Sequence, residues 1–204
     1  MKVVQIGTND GNDDVRNFCI KERPDFVLLV EPFNIHLNKI KQNYSEIIDS
    51  VYIENIAIHP TENLETVTLY YTDRDGPLGD PRRTYEVTSM ISNHLIKHGY
   101  RTPELKTFNV PSLTLNSLFE KYSLSSIDYL FLDIEGIDFE VLKSIDFEKC
   151  DIQYLQIEHL HLDINELKLF MFKNGYRPLD SAIDTRGYDT MFKKLSVLQK
   201  PQTL

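Results

Sequence analysis

The sequence has few cysteines: Cys19 and Cys150 are the only two among its 204 residues. Both lie in apolar patterns and no CxxC spacing occurs, which favours buried free thiols over a disulfide, a redox pair or a metal site. The sequence also lacks any stretch approaching the ~18 consecutive apolar residues of a membrane span, and it starts without a cleavable leader. We therefore expect a cytoplasmic protein with no membrane partner.

An excess of positive charge is also missing, because 22 Lys and Arg residues face 31 Asp and Glu residues, for a net charge of −9. Affinity for duplexes comes largely from basic residues that neutralise phosphates, so we expect no nucleic-acid partner. Hydrophobic residues make up 41% of the chain and are evenly spread, which excludes a disordered tail. The length is typical of one domain, and we expect residues 1–204 to form one.

Short apolar runs alternate with segments of helical spacing along most of the chain. The runs cover residues 3–6, 26–30, 129–132 and 152–157, and helical patterns follow them at 12–20, 32–44, 139–145 and 163–174. Continuous apolar strands are typical of a sheet covered on both faces, and strand–helix alternation requires crossover connections. We therefore predict an α/β fold with a parallel, doubly wound sheet. Asn12 is the expected cap of the first helix, Pro32 starts the second, and Asp163 caps the last.

The alternation breaks at residues 73–106, where Gly-Pro, Asp-Pro and Thr-Pro pairs punctuate the chain. An excursion of this length is usually functional or disordered. It contains six Lys or Arg and five acidic residues, so it is slightly basic in an otherwise acidic chain. The sequence therefore predicts that this insertion has a role of its own, separate from the framework.

A glycine turn, Gly7-Thr8-Asn9-Asp10-Gly11, joins the first strand to the first helix. Such a turn brings the backbone close to a ligand, and the following helix presents N–H groups to an anion or carboxylate. The dinucleotide fingerprint GxGxxG is absent because position 9 is Asn, and no Gly-Lys-Ser/Thr phosphate loop occurs. These absences disfavour NAD and ATP.

Glu31 follows the second strand and lies 20 residues beyond Gly11. Doubly wound nucleoside-binding proteins place a carboxylate there to accept hydrogen bonds from both ribose hydroxyls. A turn suited to a carboxylate, combined with a ribose acid, describes S-adenosylmethionine. The alternative is that the glycines only make a tight turn and that Glu31 is a solvated strand end.

A second polar cluster follows the strand at 129–132. Asp138 in this cluster can simply cap the next helix, whereas Asp133 and Glu135 lie where open sheets bind ligands. The next strand ends at Glu158 and His159, so neighbouring strands would bring Asp133 and Glu158 to one cleft. The three candidates for a catalytic base are Glu158, His159 and Asp133. Alternatively, Asp133 only holds the cofactor, Glu158 only bonds a loop and His159 is structural. A divalent cation at this cluster is a weaker alternative, and we assign no metal ligands.

These segments together resemble the FkbM-type family of S-adenosylmethionine-dependent methyltransferases. The resemblance rests on the glycine loop at residues 6–11, the pair Glu31-Pro32, the segment SLTLNSL at 112–118 and the segment DIEGIDFEVLK at 133–143. It covers about residues 3–160. Two positions depart from the family pattern: Asp138 replaces a Glu and Asn116 replaces an Asp.

The resemblance implies a Rossmann-like methyltransferase sheet that is mostly parallel with an antiparallel last strand. It also implies S-adenosylmethionine as the cofactor, with adenine near Asn55, Ile56 and Ala57. The residues expected to hold the cofactor are Gly7, Asn9, Gly11, Glu31, Pro32, Asn55, Ile56 and Asp133.

The function that we expect is O-methylation of a hydroxyl on a sugar, glycan or small metabolite. Because the chain starts at its first strand, we expect the insertion at about 73–106 to act as a lid, with Arg82, Arg83 and His94 contacting the acceptor. Two alternatives are an inactive S-adenosylmethionine-binding module and, with less support, an NAD-dependent oxidoreductase.

Overall fold

The structure is a computed structural model, and it describes residues 1–45, 47, 50–74, 85, 87–160, 162–183 and 188–195. Two of the residues assigned to the acceptor, Arg82 and Arg83, lie outside the described residues. His94 lies within them, as does much of the insertion. In the described part of the chain, no helix combines the length and the apolar character that a bilayer span requires.

Strands and helices alternate as the sequence predicts. In chain order the strands are β1 (Lys2–Ile6), β2 (Phe26–Val30), β3 (Val51–Glu54), β4 (Ala57–Ile58), β5 (Thr66–Tyr71), β6 (Lys106–Leu113), β7 (Ser126–Leu132), β8 (Asp151–Glu158), β9 (Tyr176–Pro178) and β10 (Asp189–Lys194). The helices are α1 (Asp14–Glu22), α2 (Leu37–Tyr44), α3 (Ser92–Lys97), α4 (Leu115–Lys121), α5 (Asp138–Lys143) and α6 (Ile164–Lys173).

Seven of these strands form the central sheet, in the order β3-β2-β1-β7-β8-β10-β9. The first five are parallel to one another, and β10 is antiparallel to both of its neighbours. The predicted α/β class, with a mostly parallel sheet and an antiparallel last strand, is confirmed.

Hydrophobic side chains cover both faces of this sheet, which explains why its central strands are mostly apolar. Val4 and Leu28 belong to one buried cluster, whereas the adjacent residues Val3 and Val27 belong to a second cluster on the other face. Alternate residues of a strand point to opposite faces, so a strand covered on both sides is apolar at most positions. Cys19 and Cys150 are buried free thiols, as predicted.

A second sheet of three strands, in the order β4-β6-β5, was not predicted. Strand β4 has only two residues and β6 contains Pro111, so neither carries a clear strand pattern. This sheet positions Ile56, Ala57 and Leu69 on the wall of the main cavity described below.

Two of the predicted helix starts are wrong and one is confirmed. The side chain of Asp13, not Asn12, caps α1 by accepting the N–H of Arg16 at 2.8 Å. Pro32 does not start α2, because the N–H of Phe33 donates to the Glu31 carboxylate and holds Phe33 extended. Asp163 caps α6 as predicted.

Candidate functional site

The ends of the four central parallel strands place the predicted site residues in one row. In the register, Ile6 is opposite both Val30 and Leu132, and Leu132 is opposite Ile157. The residues that follow these strand ends are Gly7, Glu31, Asp133 and Glu158. They therefore share the carboxyl edge of the sheet, where open α/β sheets bind ligands.

Gly7 is required by a close approach of two strand ends. Its φ is +83°, and a Cβ on Gly7 would lie 1.7 Å from the carbonyl oxygen of Asp133. Any side chain would therefore push the first loop away from the end of β7. Gly11 also has a positive φ of +73°, but a Cβ there would meet Tyr44 and Ile40 instead. Gly11 lies in the turn and packs against α2, and the cavity described next is lined without it.

A cavity of about 690 Å³ opens at this edge of the sheet. This volume lies within the roughly 300–1,000 Å³ of typical ligand sites. Of the residues predicted to hold the cofactor, those that line the cavity are Gly7, Asn9, Glu31, Pro32, Ile56 and Asp133.

Glu31 is the most constrained acidic residue of the cavity. It is only 5% exposed, and its two carboxylate oxygens accept the backbone N–H groups of Asn9 and Phe33, each at 2.8 Å. Asn9 reaches this position with a φ of +52°. Burial raises the pKa of Glu31 to about 8, against the opposing effect of these two hydrogen bonds. Each carboxylate oxygen can accept one further hydrogen bond, so the pair suits a vicinal diol.

Asn55 fixes the backbone at Glu31 and Pro32. Its side-chain amide donates to the backbone carbonyls of Glu31 and Pro32, at 2.9 and 2.8 Å. Asn55 is not among the cavity-lining residues, so the structure gives it a positioning role and leaves Ile56 as the contact surface.

Part of the cavity wall comes from residues that the sequence did not indicate. Leu69 lies on β5, and Tyr85 and Met90 belong to the insertion. Asp189, which pairs with Glu158 between β8 and β10, also lines the cavity. Only the three-dimensional fold brings these positions together, so no local sequence signal could have found them.

Asp138 closes the loop after β7 and does not cap α5. Its carboxylate accepts the N–H groups of Ile134 at 2.8 Å and Gly136 at 3.2 Å. Burial, and next the charge of Asp133, raise the pKa of Asp138 to about 7. The shorter Asp at this position therefore holds the loop in shape. The other departure, Asn116, is also structural: it bonds Ser144 and Asp146 at the end of α5.

Glu158 lies in a second, smaller cavity of about 100 Å³. This cavity is lined by Ile91, Asn93, His94, Lys97, Gly136, Asp138, Glu158 and Leu162. The strands that end before Asp133 and at Glu158 are neighbours, as expected, but the space at their ends is divided: Asp133 lines the larger cavity and Glu158 the smaller. Burial, and then the charge of Asp133, raise the pKa of Glu158 to about 9.

The pair His94 and Glu135 links the two cavities. Nε2 of His94, which lines the smaller cavity, lies 2.7 Å from Oε2 of Glu135, which lines the larger one. Among the described residues, the group with metal-ligand spacing is His94, His98 and Glu135.

His159, a predicted catalytic residue, is positioned differently from Glu158. Its ring Nδ1 lies 3.2 Å from Oγ1 of Thr190, and its backbone N–H donates to the carbonyl of Tyr188. His159 lines neither of the two cavities. The structure therefore brings Glu158 and Asp133 to the site but leaves His159 beside β10.

Residues 5–178 match the family model of the methyltransferase FkbM domain. Comparison with curated protein sequences gives no significant match.

Several solved methyltransferase structures are similar to the chain. A candidate RNA methyltransferase from Pyrococcus horikoshii has 12% identity and a TM-score of 0.45, with 96% of this chain and 74% of that chain covered. TrmK of M. capricolum, solved with S-adenosyl-homocysteine, has 10% identity and a TM-score of 0.43, with 95% and 60% covered. A ribosomal protein L11 methylase from Lactobacillus delbrueckii subsp. bulgaricus has 11% identity and a TM-score of 0.42, with 95% and 70% covered. With TM-scores below 0.5, these likenesses carry no argument about the reaction.

Proposed function

Because the chain belongs to the FkbM family of S-adenosylmethionine-dependent methyltransferases, we propose that it methylates a hydroxyl oxygen of a sugar, glycan or small metabolite. The observation that carries the cofactor assignment is the buried carboxylate of Glu31, held by two backbone N–H groups at the edge of a ligand-sized cavity.

The larger cavity fits S-adenosylmethionine in charge as well as in size. The cofactor has an ammonium and a sulfonium, and the cavity is lined by Asp133, Glu135 and Asp189, whose carboxylates can offset these positive charges. Glu31 would accept the ribose hydroxyls, and the turn at Gly7 and Asn9 would receive the methionine end.

The adenine ring would pack against the apolar wall of the same cavity. Ile56, Ala57 and Leu69 form that wall. Asn55, which precedes Ile56, is held in place because its side-chain amide donates to the carbonyls of Glu31 and Pro32. An apolar wall with a few oriented polar groups is the usual composition of a cofactor site.

The protein must hold the acceptor hydroxyl in line with the transferred methyl group and remove its proton. When bound, S-adenosylmethionine supplies an electrophilic methyl group. We assign the reacting hydroxyl of the acceptor, and not the whole molecule, to the smaller cavity of about 100 Å³, where His94 and Lys97 can orient it and where Glu158 can take its proton. A pKa of about 9 leaves Glu158 mostly protonated at neutral pH, so the basic form becomes abundant only as the pH rises.

The lid assignment for residues 73–106 remains a proposal. Three residues of this segment, Tyr85, Thr88 and Met90, line the larger cavity, and His94 and Lys97 line the smaller one. The segment therefore contributes walls to both cavities, which supports a role in covering the acceptor.

The direct test combines binding with transfer. S-adenosylhomocysteine at a hundredfold excess over its dissociation constant should stabilise the protein by about 2.7 kcal/mol, and NADH should not. Sugar nucleotides, glycans and small hydroxylated metabolites are then screened with a labelled methyl donor. Label in an ether product would support the proposal. Stabilisation by NADH in place of S-adenosylhomocysteine would contradict it, and binding with no transfer to any acceptor would favour an inactive binding module.

A further inference from the structure

Three side chains that could bind a metal ion meet between the two cavities. Nε2 of His94 lies 2.7 Å from Oε2 of Glu135, and Nε2 of His98 lies 3.9 Å from the same oxygen. One ligand atom from each of the three lies within 4.8 Å of the others. His94 and His98 are four residues apart at the end of α3, so they share one side of that helix.

The backbone around this group is adapted to bring the side chains together. Gly136 has a φ of +102°, and a Cβ there would lie 2.6 Å from Nδ1 of His94. The glycine therefore makes room for the imidazole. Glu135 has a φ of +58°, which is uncommon for a residue with a side chain, and Ser89 donates to its carbonyl at 2.6 Å. Such backbone strain is concentrated at functional sites.

The three side chains differ in their access to solvent. That of His94 is only 4% exposed. His98 and Glu135 are more accessible, with side-chain exposures of 17% and 19%, so an ion could enter from their side.

We propose that His94, His98 and Glu135 bind a divalent transition-metal ion. Two imidazoles and one carboxylate form a set that binds zinc in catalytic sites and iron(II) in facial triads, with further positions left for other ligands. Metal–ligand bonds of about 2.0–2.1 Å place neighbouring ligand atoms about 3.4 Å apart in a tetrahedral site. The two distances to Oε2 of Glu135, 2.7 and 3.9 Å, lie on either side of that spacing, so each differs from it by less than an ångström.

The position between the two cavities would let the ion act on the acceptor hydroxyl. This role rests on the proposed function. Glu135 lines the larger cavity and His94 lines the smaller cavity with Glu158. The ion would hold the acceptor oxygen and lower the pKa of its hydroxyl. As the oxygen–methyl bond forms and the sulfur–methyl bond breaks, the hydroxyl proton passes to the Glu158 carboxylate and S-adenosylhomocysteine is released.

The test uses the full chain without a histidine tag, stripped of metal with EDTA. Zn²⁺ is titrated by calorimetry, and Co²⁺ is titrated by visible absorption, which reports its ligands directly. We expect one ion per chain. The substitutions His98→Gln and Glu135→Gln should each weaken Zn²⁺ binding by more than about 100-fold. Loss of a residue that only bonds a metal ligand costs up to roughly 100-fold, and loss of a ligand itself should cost more. The control His159→Gln should leave Zn²⁺ affinity unchanged, because its ring bonds Thr190.

Circular dichroism of every variant shows that each remains folded, and binding of S-adenosylhomocysteine to the wild-type chain tests the proposed function separately. A wild-type chain that binds neither Zn²⁺ nor Co²⁺ overturns the metal site, as does a folded His98→Gln variant with wild-type Zn²⁺ affinity. If the ion binds and EDTA leaves methyl transfer unchanged, the role at the acceptor is overturned. Metal binding in a chain that fails to bind S-adenosylhomocysteine would support the metal site while contradicting the proposed function.

Discussion

The backbone N–H of Asn9 donates to the Glu31 carboxylate at 2.8 Å, and this contact joins the turn after β1 to the end of β2. The same carboxylate accepts the N–H of Phe33. Glu31 thus fixes the loops after β1 and β2, which line the larger cavity. Its oxygens can still accept hydrogen bonds from a ligand. One side chain therefore shapes the site and, in the proposed function, recognises the ribose.

Replacing Glu31 by Gln should weaken S-adenosylhomocysteine binding by about 10- to 100-fold, because the amide nitrogen replaces an acceptor oxygen and leaves a buried donor unpaired, which costs about 1–3 kcal/mol. The amide would also place donor hydrogens opposite the N–H of Asn9 or Phe33. Calorimetry measures the affinity, and circular dichroism checks the fold. Glu148→Gln is the matched control, because Glu148 is exposed and lines neither cavity. Equal affinities for the two variants would remove the ribose assignment.

Replacing Glu158 by Gln should slow methyl transfer by about 10²- to 10⁴-fold and leave cofactor affinity near the wild-type value. The reason is that Glu158 lines the smaller cavity, to which the acceptor hydroxyl is assigned, but not the larger one. In the wild type, the rate should rise with pH toward the pKa of about 9. A Glu158→Gln variant that keeps both the rate and this rising limb would exclude Glu158 as the base.

The stability of the protein should fall as the pH rises from 7 to 9. The pKa of Glu31 is raised to about 8 and that of Glu158 to about 9, mainly by burial. In this window the folded chain keeps protons on these carboxyls that the unfolded chain has already released, so the free energy of unfolding decreases with pH. Calorimetric melting at several pH values measures the slope. Glu158→Gln should reduce the slope and Glu148→Gln should not, and an unchanged slope in Glu158→Gln would contradict the assignment.

The sheet and the first half of the site could be predicted because their signals are local. The strands β1, β2, β7 and β8 are mostly apolar, and a residue that follows a parallel strand lies at the ligand-binding edge whatever the tertiary details. Gly7, Glu31 and Asp133 were found in this way. The start of α1 was wrong by one residue because Asn12 and Asp13 are both good caps, and only the fold decides which side chain meets the N–H of Arg16.

The remaining parts of the site depend on contacts between distant segments. His98 and Glu135 are 37 residues apart, and nothing in either segment indicates that they meet. Leu69 reaches the cavity only through the second sheet, whose two-residue strand β4 has no clear pattern. Glu158 and His159 are adjacent in sequence, but the pairing of β8 with β10 separates their surroundings.

The two glycines of the first loop offer a test of which part of that loop matters. Both have positive φ values, +83° for Gly7 and +73° for Gly11, so an Ala at either position carries a similar backbone cost of about 1–2 kcal/mol. The steric surroundings differ: the new Cβ would lie 1.7 Å from the Asp133 carbonyl oxygen at Gly7, but 3.2 Å from the Tyr44 ring at Gly11.

Gly7→Ala should therefore lose more stability than Gly11→Ala, by more than about 1 kcal/mol, because the ends of β1 and β7 must separate whereas a ring can shift. It should also lose most S-adenosylhomocysteine affinity, since Gly7 lines the cavity and Gly11 does not. Denaturant unfolding and calorimetry measure the two effects. Both variants carry the same backbone cost of placing Ala at a positive φ. If Gly11→Ala loses as much ligand affinity as Gly7→Ala, the conformation of the turn controls binding, and the contact of Gly7 with Asp133 does not.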